Sequence, residues 1–426
     1  MIESGITAGI TERIRQLVHD PFLLSSIYIM LSSVAGAVIG VGFWIVAARI
    51  YSQEQVGLGT ALISSLTLLL TLSKLGMDQS LIRYFPSGNK GSILLTSTVV
   101  STAVAMLLGV IFLIGTPIWA PALRPAAFEE AALFLMVLGI SAVASMTSTS
   151  LVASRKASLN LLQTILTGLK VPALFIMVPL GALGIYASFG VGYTVTLLVT
   201  LAVLGPLLGV RKGHFDRQFF KESSGYSLGI YASGFLLTVP TLLLPLLVLN
   251  TLGPVDSANY YMAYAIVSMV LMIPMATSLS LFVEGSHGEH MVRTMRKSLI
   301  SNFLLLVPAT AGLWLLGDWG LSIIGKEYAT GGLELLRIMV LSSFFYAIAQ
   351  TYISRHMVSK NIQELLLVGA ILCTSLLGLS YSFMKWWGLA GVGWAWVLAY
   401  GIISAFILFR DRAMIRSLVS LKEINS

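Results

Sequence analysis

The sequence predicts an all-α polytopic membrane protein, with twelve transmembrane helices in two parallel six-helix halves around a central cavity. Composition is the first of three observations behind this prediction: 57% of the residues are apolar, 10% are charged, and the mean hydropathy is +0.89. Soluble domains carry about 25% charged residues, so this chain cannot cover a water-facing surface of ordinary polarity. Lipid offers the backbone no hydrogen-bond partners, so it admits only helices or closed barrels.

The length of the apolar stretches is the second observation. They run to about 20 residues, which is the length of a spanning helix, whereas a barrel would show alternating strands of about 10 residues. The polar connections between them leave no room for a separate globular domain. Twelve spans are predicted, near residues 24–48, 56–78, 91–115, 129–153, 159–181, 184–209, 226–250, 258–283, 298–316, 333–353, 363–383 and 388–409.

The placement of the 26 basic residues is the third observation. Nineteen fall on one side of the predicted membrane and four on the other, while Lys74, Lys170 and Arg337 lie in or near spans. Cytoplasmic loops carry the excess of Lys and Arg, so both termini are predicted to be cytoplasmic in a multi-pass protein of the cell (plasma or inner) membrane. Topology thus explains the net charge of +8, and we expect no nucleic acid partner.

Two pairs of similar segments indicate an internal repeat. Residues 46–63 and 248–266 each end one span, pass through an acidic turn and enter the next span. Residues 181–189 and 388–396 each connect the fifth and sixth spans of a half. The repeat predicts an N-terminal six-helix bundle over residues 1–222 and a C-terminal one over residues 223–426. Parallel repeats of this kind are typical of secondary transporters that work by alternating access.

Lys170 is the most informative charged residue, because it falls near the middle of the fifth predicted span. A lysine at that depth costs about 2.5–3.5 kcal/mol, so it must face a wet cavity or a buried partner. Pro172 follows closely and removes a backbone donor, which predicts that the helix is opened there. We favour a functional cation, and a structural partner remains the alternative.

Four further basic residues are candidates, each with a structural alternative. Arg49 ends the first span, and Arg337 enters the tenth span three residues after Glu334, with which it is able to pair. Lys74 lies four residues before Asp78, so a mutual ion pair is the favoured interpretation. Arg83 is predicted to be cytoplasmic, where it would meet either an incoming phosphate or a lipid headgroup.

The absence of acidic residues from the middle of every predicted span points to the charge of the substrate. Coupled pumps usually carry an intramembrane carboxylate, whereas the deep charge of this chain is cationic, which suits a phosphate or pyrophosphate group. Intramembrane aromatic residues such as Trp44, Tyr260 and Trp396 are more typical of packing than of sugar stacking. No phosphate-binding Gly-rich loop is present and Cys373 is the only cysteine, so we predict no enzyme, no cofactor and no metal site.

Four segments carry a resemblance to a known family. The first span ends AARIYSQEQVG, the second ends LGMDQSLIRYFP, the eighth ends SLSLFVEGSHGE, and the last hairpin reads KWWGLAGVGWAW. With its twelve spans, the chain resembles the polysaccharide/oligosaccharide flippases, which form the polysaccharide transporter family of the multidrug/oligosaccharidyl-lipid/polysaccharide exporter superfamily. The resemblance covers nearly the whole chain.

The resemblance implies a transporter that flips a lipid-linked oligosaccharide, a glycan on polyprenyl (pyro)phosphate, from the cytoplasmic to the outer leaflet. Its partners would be that lipid and the bilayer, and a cationic cavity would hold the phosphate. The substrate-binding candidates are Lys170, Arg49, Arg337, Arg83 and Lys74, of which Arg49 lies in the family's turn and Arg337 has no motif support. We expect a monomer, and the glycan, the lipid carrier and any coupling ion stay open.

Two alternatives differ in where they place acidic groups. An ion-coupled exporter of drugs or organic cations from the same superfamily is expected to carry Asp or Glu in its cavity. A membrane-embedded glycan polymerase or ligase is expected to carry its reactive groups on a large external loop. The external loops at residues 116–128 and 317–332 are too short to favour the latter.

Overall fold

A computed structural model describes residues 21–86, 88–154, 156–207, 213–286 and 290–411, and both chain termini lie outside these described residues. In this part of the chain, thirteen α-helices follow one another: α1 (Pro21–Ile50), α2 (Gln53–Lys74), α3 (Met77–Tyr84), α4 (Lys90–Trp119), α5 (Phe128–Ala153), α6 (Ala157–Thr167), α7 (Lys170–Met177), α8 (Ala182–Leu207), α9 (Arg217–Leu252), α10 (Pro254–Ser286), α11 (Met291–Ile324), α12 (Lys326–Val358) and α13 (Ile362–Arg410). Two 3₁₀ turns, Pro121–Leu123 and Val178–Leu180, complete the described secondary structure.

Eleven helical stretches of the described chain are long and apolar enough to cross a membrane, and the last of them contains two spans. Helix α13 has 49 residues, which at 1.5 Å per residue is about 74 Å, more than twice the apolar thickness of a bilayer. It is broken at Trp387 and Gly388, whose backbone dihedral angles are not helical. The predicted all-helical fold with twelve spans is therefore confirmed.

Side-chain caps fix several helix starts. Ser52 accepts a hydrogen bond from the Gln55 amide at 3.2 Å, and the Gln55 side chain accepts one from the Ser52 amide at 3.1 Å. This reciprocal pair forms a capping box that satisfies two of the free donors at the start of α2. Asn89 and Asp216 cap the starts of α4 and α9, and in each case one side-chain oxygen accepts a hydrogen bond from a backbone amide of the first turn.

The helices extend beyond some of the predicted apolar stretches. The ninth and tenth spans were predicted at residues 298–316 and 333–353, whereas α11 and α12 cover Met291–Ile324 and Lys326–Val358. Polar residues such as Asp318 end the apolar pattern without ending the helix, because backbone hydrogen bonding continues into the interface.

The internal repeat is visible in the backbone of two glycines. Gly181 has φ +57° and ψ −133°, and Gly388, in the corresponding segment of the second half, has φ +54° and ψ −138°. Only glycine adopts this region without steric cost, so both halves turn into their sixth span through the same glycine-dependent conformation. The predicted boundary after residue 222 falls inside α9 and stays a prediction.

Replacing Gly388 with alanine is expected to lower the free energy of unfolding by about 1–3 kcal/mol, the cost of a side chain in a disfavoured backbone region. A Cβ at Gly388 meets no atom within 4 Å, so the loss comes from the backbone alone. Gly378→Ala is the matched control, because that glycine is equally open but has no positive φ. Denaturant titration in detergent measures both variants, and an equal response would contradict the expectation.

The two halves meet along a line of contacts that we call the outer seam, at the helix ends predicted to face outside. Gln53 donates to the Asn259 side-chain oxygen at 2.6 Å, and Arg49 donates to the Ile323 carbonyl at 2.9 Å. Gly57 lies so close to Pro254 that an added Cβ would overlap the proline carbonyl. The halves are thus closed against each other on this side.

Candidate functional site

The fifth span is broken at the position of Lys170. Helix α6 ends at Thr167 and α7 begins at Lys170, and between them the amides of Gly168, Leu169 and Val171 each bond to the carbonyl three residues earlier. Pro172 supplies no N–H, so the regular pattern of hydrogen bonds resumes only beyond it. The predicted opening of the helix near Pro172 is present.

The ammonium group of Lys170 lies against aromatic rings. Its Nζ is 4.2 Å from the ring centre of Phe189 on α8 and 5.4 Å from that of Phe43 on α1. Among the described residues, no carboxylate lies within 4.0 Å of this Nζ. Cation–π contacts are worth about 0.5–2 kcal/mol each, so the two rings offset much of the roughly 2.5–3.5 kcal/mol that a mid-membrane lysine costs. The rings do not neutralise the charge, and the ammonium has no anionic partner among the described residues.

A cavity of about 380 Å³, here called the polar cavity, lies inside the first half, between α2, α5, α6 and α8. One of its lining residues, Phe189, contacts Lys170. Along α2 it extends from Leu66 to Lys74, which is about 12 Å. Eleven of its lining residues carry hydroxyl or amide groups: Thr67, Thr71, Ser141, Ser145, Ser148, Thr149, Gln163, Thr164, Thr167, Tyr193 and Thr196. The lining is thus polar and almost free of charge.

Of the five candidates, Lys74 alone is among the residues that line the polar cavity. Lys74 forms an ion pair with Asp78 at 3.8 Å, which is the pair predicted. Lys170 is a neighbour of the lining: Thr167, one helical turn before it, lines the cavity, and so does Phe189, against whose ring the Lys170 ammonium packs.

The other three candidates lie elsewhere. The Arg49 guanidinium is exposed and bonds to the Ile323 carbonyl near the end of α11, where the helix dipole favours a cation. Arg337 donates from Nε to the Trp314 carbonyl at 3.2 Å, and its guanidinium lies 4.8 Å from the Trp314 ring centre. It has no ion pair with Glu334 within 4.0 Å, although both residues are described.

Arg83, at the end of α3, is also exposed, with its guanidinium 5.6 Å from the Tyr84 ring centre. Substrate binding by each of the five basic residues stays a prediction. The intramembrane aromatic residues pack against one another, with Trp44 at 4.7 Å from Tyr261 and Trp396 at 5.7 Å from Tyr264. Trp44 and Trp396 are buried, which agrees with packing.

Sequence reasoning missed the polar lining. Ser141, Gln163 and Thr196 are buried side chains on three different helices, and no spacing along the chain connects them. The run of Ser and Thr at residues 141–150 was the available signal. Hydroxyls in membrane helices commonly bond to a carbonyl of the preceding turn, so such a run alone does not indicate a cavity.

A comparison with family models matches residues 22–282 to the family described as polysaccharide biosynthesis protein. No curated protein matches the chain in sequence. Among solved structures, an inward-facing multidrug resistance MATE family transporter of the MOP superfamily is similar, with a TM-score of 0.67 and 13% identity over 91% of this chain and 96% of that one.

Two further similar structures belong to the same superfamily. A Pyrococcus furiosus MOP superfamily transporter, described as having a binding pocket of reverse polarity that suggests a different function, has a TM-score of 0.60 and 14% identity over 94% of this chain and 98% of that one. An outward-facing MATE family transporter has a TM-score of 0.57 and 14% identity over 95% and 97% of the two chains. The shared fold is that of MOP-superfamily transporters.

Proposed function

The chain belongs to the polysaccharide biosynthesis protein family, and from this premise we propose that it flips a lipid-linked oligosaccharide from the cytoplasmic to the outer leaflet. The substrate is a glycan on polyprenyl phosphate or pyrophosphate, whose lipid tail stays in the bilayer. The two halves alternate access to the site, and the conformation described here is closed at the outer seam. The protein acts as a transporter and not as an enzyme.

Lys170 is the observation that carries this proposal. It is a cation at mid-membrane depth whose charge the protein compensates only through aromatic rings, beside a cavity with a polar lining. An anionic group supplies the missing compensation, and a phosphate does so with charge-assisted hydrogen bonds that are about twice as strong as neutral ones. Lys74, which lines this cavity, adds a second cation on the path from the cytoplasm.

An ion-coupled exporter of organic cations is the alternative, and the cavity does not favour it. A cationic substrate calls for a carboxylate within the site, yet no acidic residue is among the lining residues of the polar cavity. Asp78 contacts the lining residue Lys74, with which it is paired.

Leaflet accessibility in proteoliposomes tests the proposal. The purified protein is reconstituted with a fluorescent polyprenyl-pyrophosphate oligosaccharide, and the fraction of label that an external quencher reaches is followed over time. We expect label to cross only in vesicles that contain the protein. Absence of crossing for every lipid-linked sugar tried, together with proton-driven efflux of cationic dyes, would overturn the proposal in favour of the cation exporter.

A further inference from the structure

Three basic side chains lie within the first two turns of α11, on the side of the membrane that is predicted to be cytoplasmic. They are Arg293, Arg296 and Lys297, of which Arg293 and Lys297 are exposed and Arg296 is half-buried. Arg293 and Lys297 are four residues apart, so their side chains lie on one face of the helix. Arg296 follows Arg293 by three residues and borders that face. The start of α11 therefore presents three positive charges close together.

No acidic group of the described chain neutralises these charges. The first turn of α11 contains no acidic residue, and Glu284, the described acid nearest along the chain, is not within 4.0 Å of any of the three. The arginines at the ends of the two following helices differ in this respect. Arg355 pairs with Asp411, and Arg410 pairs with Glu364 at 2.7 Å. The cations of α11 are thus left available to an anion from outside the protein.

The same face of α11 continues into the membrane as an apolar stripe. Ile300, Leu304 and Val307 follow Lys297 at intervals of three, four and three residues, which keeps them on one face of the helix. All three are exposed, at 53–72%. On its other sides α11 packs against α10 and α12. Because α11 is long and apolar enough to span the membrane, this stripe contacts lipid chains.

We infer that this surface, here called the α11 face, binds an anionic phospholipid of the leaflet predicted to be cytoplasmic. The lipid phosphate lies against Arg293 and Lys297, and an acyl chain follows Ile300 and Leu304. Guanidinium and ammonium groups both bind phosphate. A free phosphate would leave the apolar stripe unused, and a zwitterionic lipid would bring its own ammonium to a surface that is already positive. The inference goes beyond the proposed function, because it holds whichever substrate the protein transports.

The lipid affinity of the full chain tests this inference. The purified protein in detergent is titrated with phosphatidylglycerol or with phosphatidylcholine of the same acyl chains, and native mass spectrometry gives the dissociation constant of the first bound lipid. We expect the wild type to prefer phosphatidylglycerol by at least about tenfold. Each cation near the membrane surface contributes about fivefold to the binding of an anionic headgroup. Lys297→Gln should therefore weaken phosphatidylglycerol binding about fivefold, and Arg293→Gln with Lys297→Gln about 10- to 30-fold, while phosphatidylcholine binding stays unchanged.

Lys90→Gln is the matched control, because Lys90 is also an exposed lysine at the start of a helix on the same predicted side, but on α4 in the first half. Its lipid affinities should stay within about twofold of the wild type, since it leaves the α11 face intact. Arg293→Lys with Lys297→Arg keeps both charges and should keep the preference, which separates loss of charge from a change in folding. Equal affinity of the wild type for the two lipids would overturn the inference. So would an equal loss in Lys90→Gln, which would indicate a response to net charge, or displacement of the lipid by inorganic phosphate, which would indicate a site for the free anion.

Discussion

Lys170→Met is expected to reduce flipping of a lipid-linked oligosaccharide by about 10- to 100-fold while the protein stays folded. Hydrogen bonds to a charged partner are worth about 1.5–3 kcal/mol, and under the proposed function Lys170 supplies such bonds to the substrate phosphate. Methionine matches the shape of lysine without its charge, so it also removes a buried cation that only Phe189 and Phe43 compensate. Replacing a buried charge by an apolar isostere is often neutral or stabilising. Flipping rates in proteoliposomes and thermal unfolding in detergent measure the two effects.

Lys385→Met is the matched control for this experiment. Its ammonium also lies over an aromatic ring, 4.1 Å from the ring centre of Tyr381. Lys385 is exposed, however, and neither Lys385 nor Tyr381 lines the polar cavity. We expect its flipping rate to stay within twofold of the wild type. Lys170→Arg should retain part of the activity, because guanidinium also binds phosphate. A Lys170→Met protein that unfolds more easily and flips normally would show that the lysine is structural.

The sequence alone predicted the features of the fold that depend on polarity along the chain. Twelve spans follow from apolar length, and the break of the fifth helix follows from Pro172. The Lys74–Asp78 pair follows from a four-residue spacing on one helix. Each of these is a local property, so the neighbouring residues are sufficient to determine it.

Convergence of side chains from different helices was not predictable in the same way. Gln163 on α6 and Thr196 on α8 share a cavity because of how four helices pack, and their spacing along the chain does not contain that information. The same limit applies to Arg337, for which the sequence offered Glu334 as an ion-pair partner. In the structure the Arg337 guanidinium instead contacts the backbone carbonyl and the ring of Trp314 on the preceding helix, and no charge pattern in the sequence indicates that contact.

Gly57→Ala is expected to open the outer seam and to reduce flipping by more than tenfold. A Cβ at this position would overlap the Pro254 carbonyl, which is backbone and cannot move aside as a flexible side chain can. The starts of α2 and α10 must then separate, which weakens the Gln53–Asn259 hydrogen bond. Alternating access requires the seam to close when the site faces the cytoplasm, so a seam that cannot close leaves the cycle incomplete.

Disulfide trapping measures the state of this seam. In a Cys373→Ser background that removes the one native cysteine, Gln53→Cys and Asn259→Cys place one thiol at the start of α2 and one near the start of α10, on the two residues that now share a hydrogen bond. With Gly57 present, we expect a short bis-methanethiosulfonate reagent to link the two thiols through disulfide bonds and to stop flipping until a reductant is added. With Gly57→Ala, we expect cross-linking to slow at least tenfold, because the time spent in the closed state falls.

Gly40→Ala provides the comparison that separates seam opening from a general effect of an added methyl group. Gly40 is also in the first half, on α1, but an added Cβ there meets nothing within 4 Å. Its cross-linking and flipping should match those of the parent protein. If Gly57→Ala cross-links and flips as fast as Gly40→Ala, the contact with Pro254 does not control access. If Gly57→Ala slows both, closing of the outer seam is a step of the transport cycle, and the approach of α2 to α10 sets how readily that step occurs.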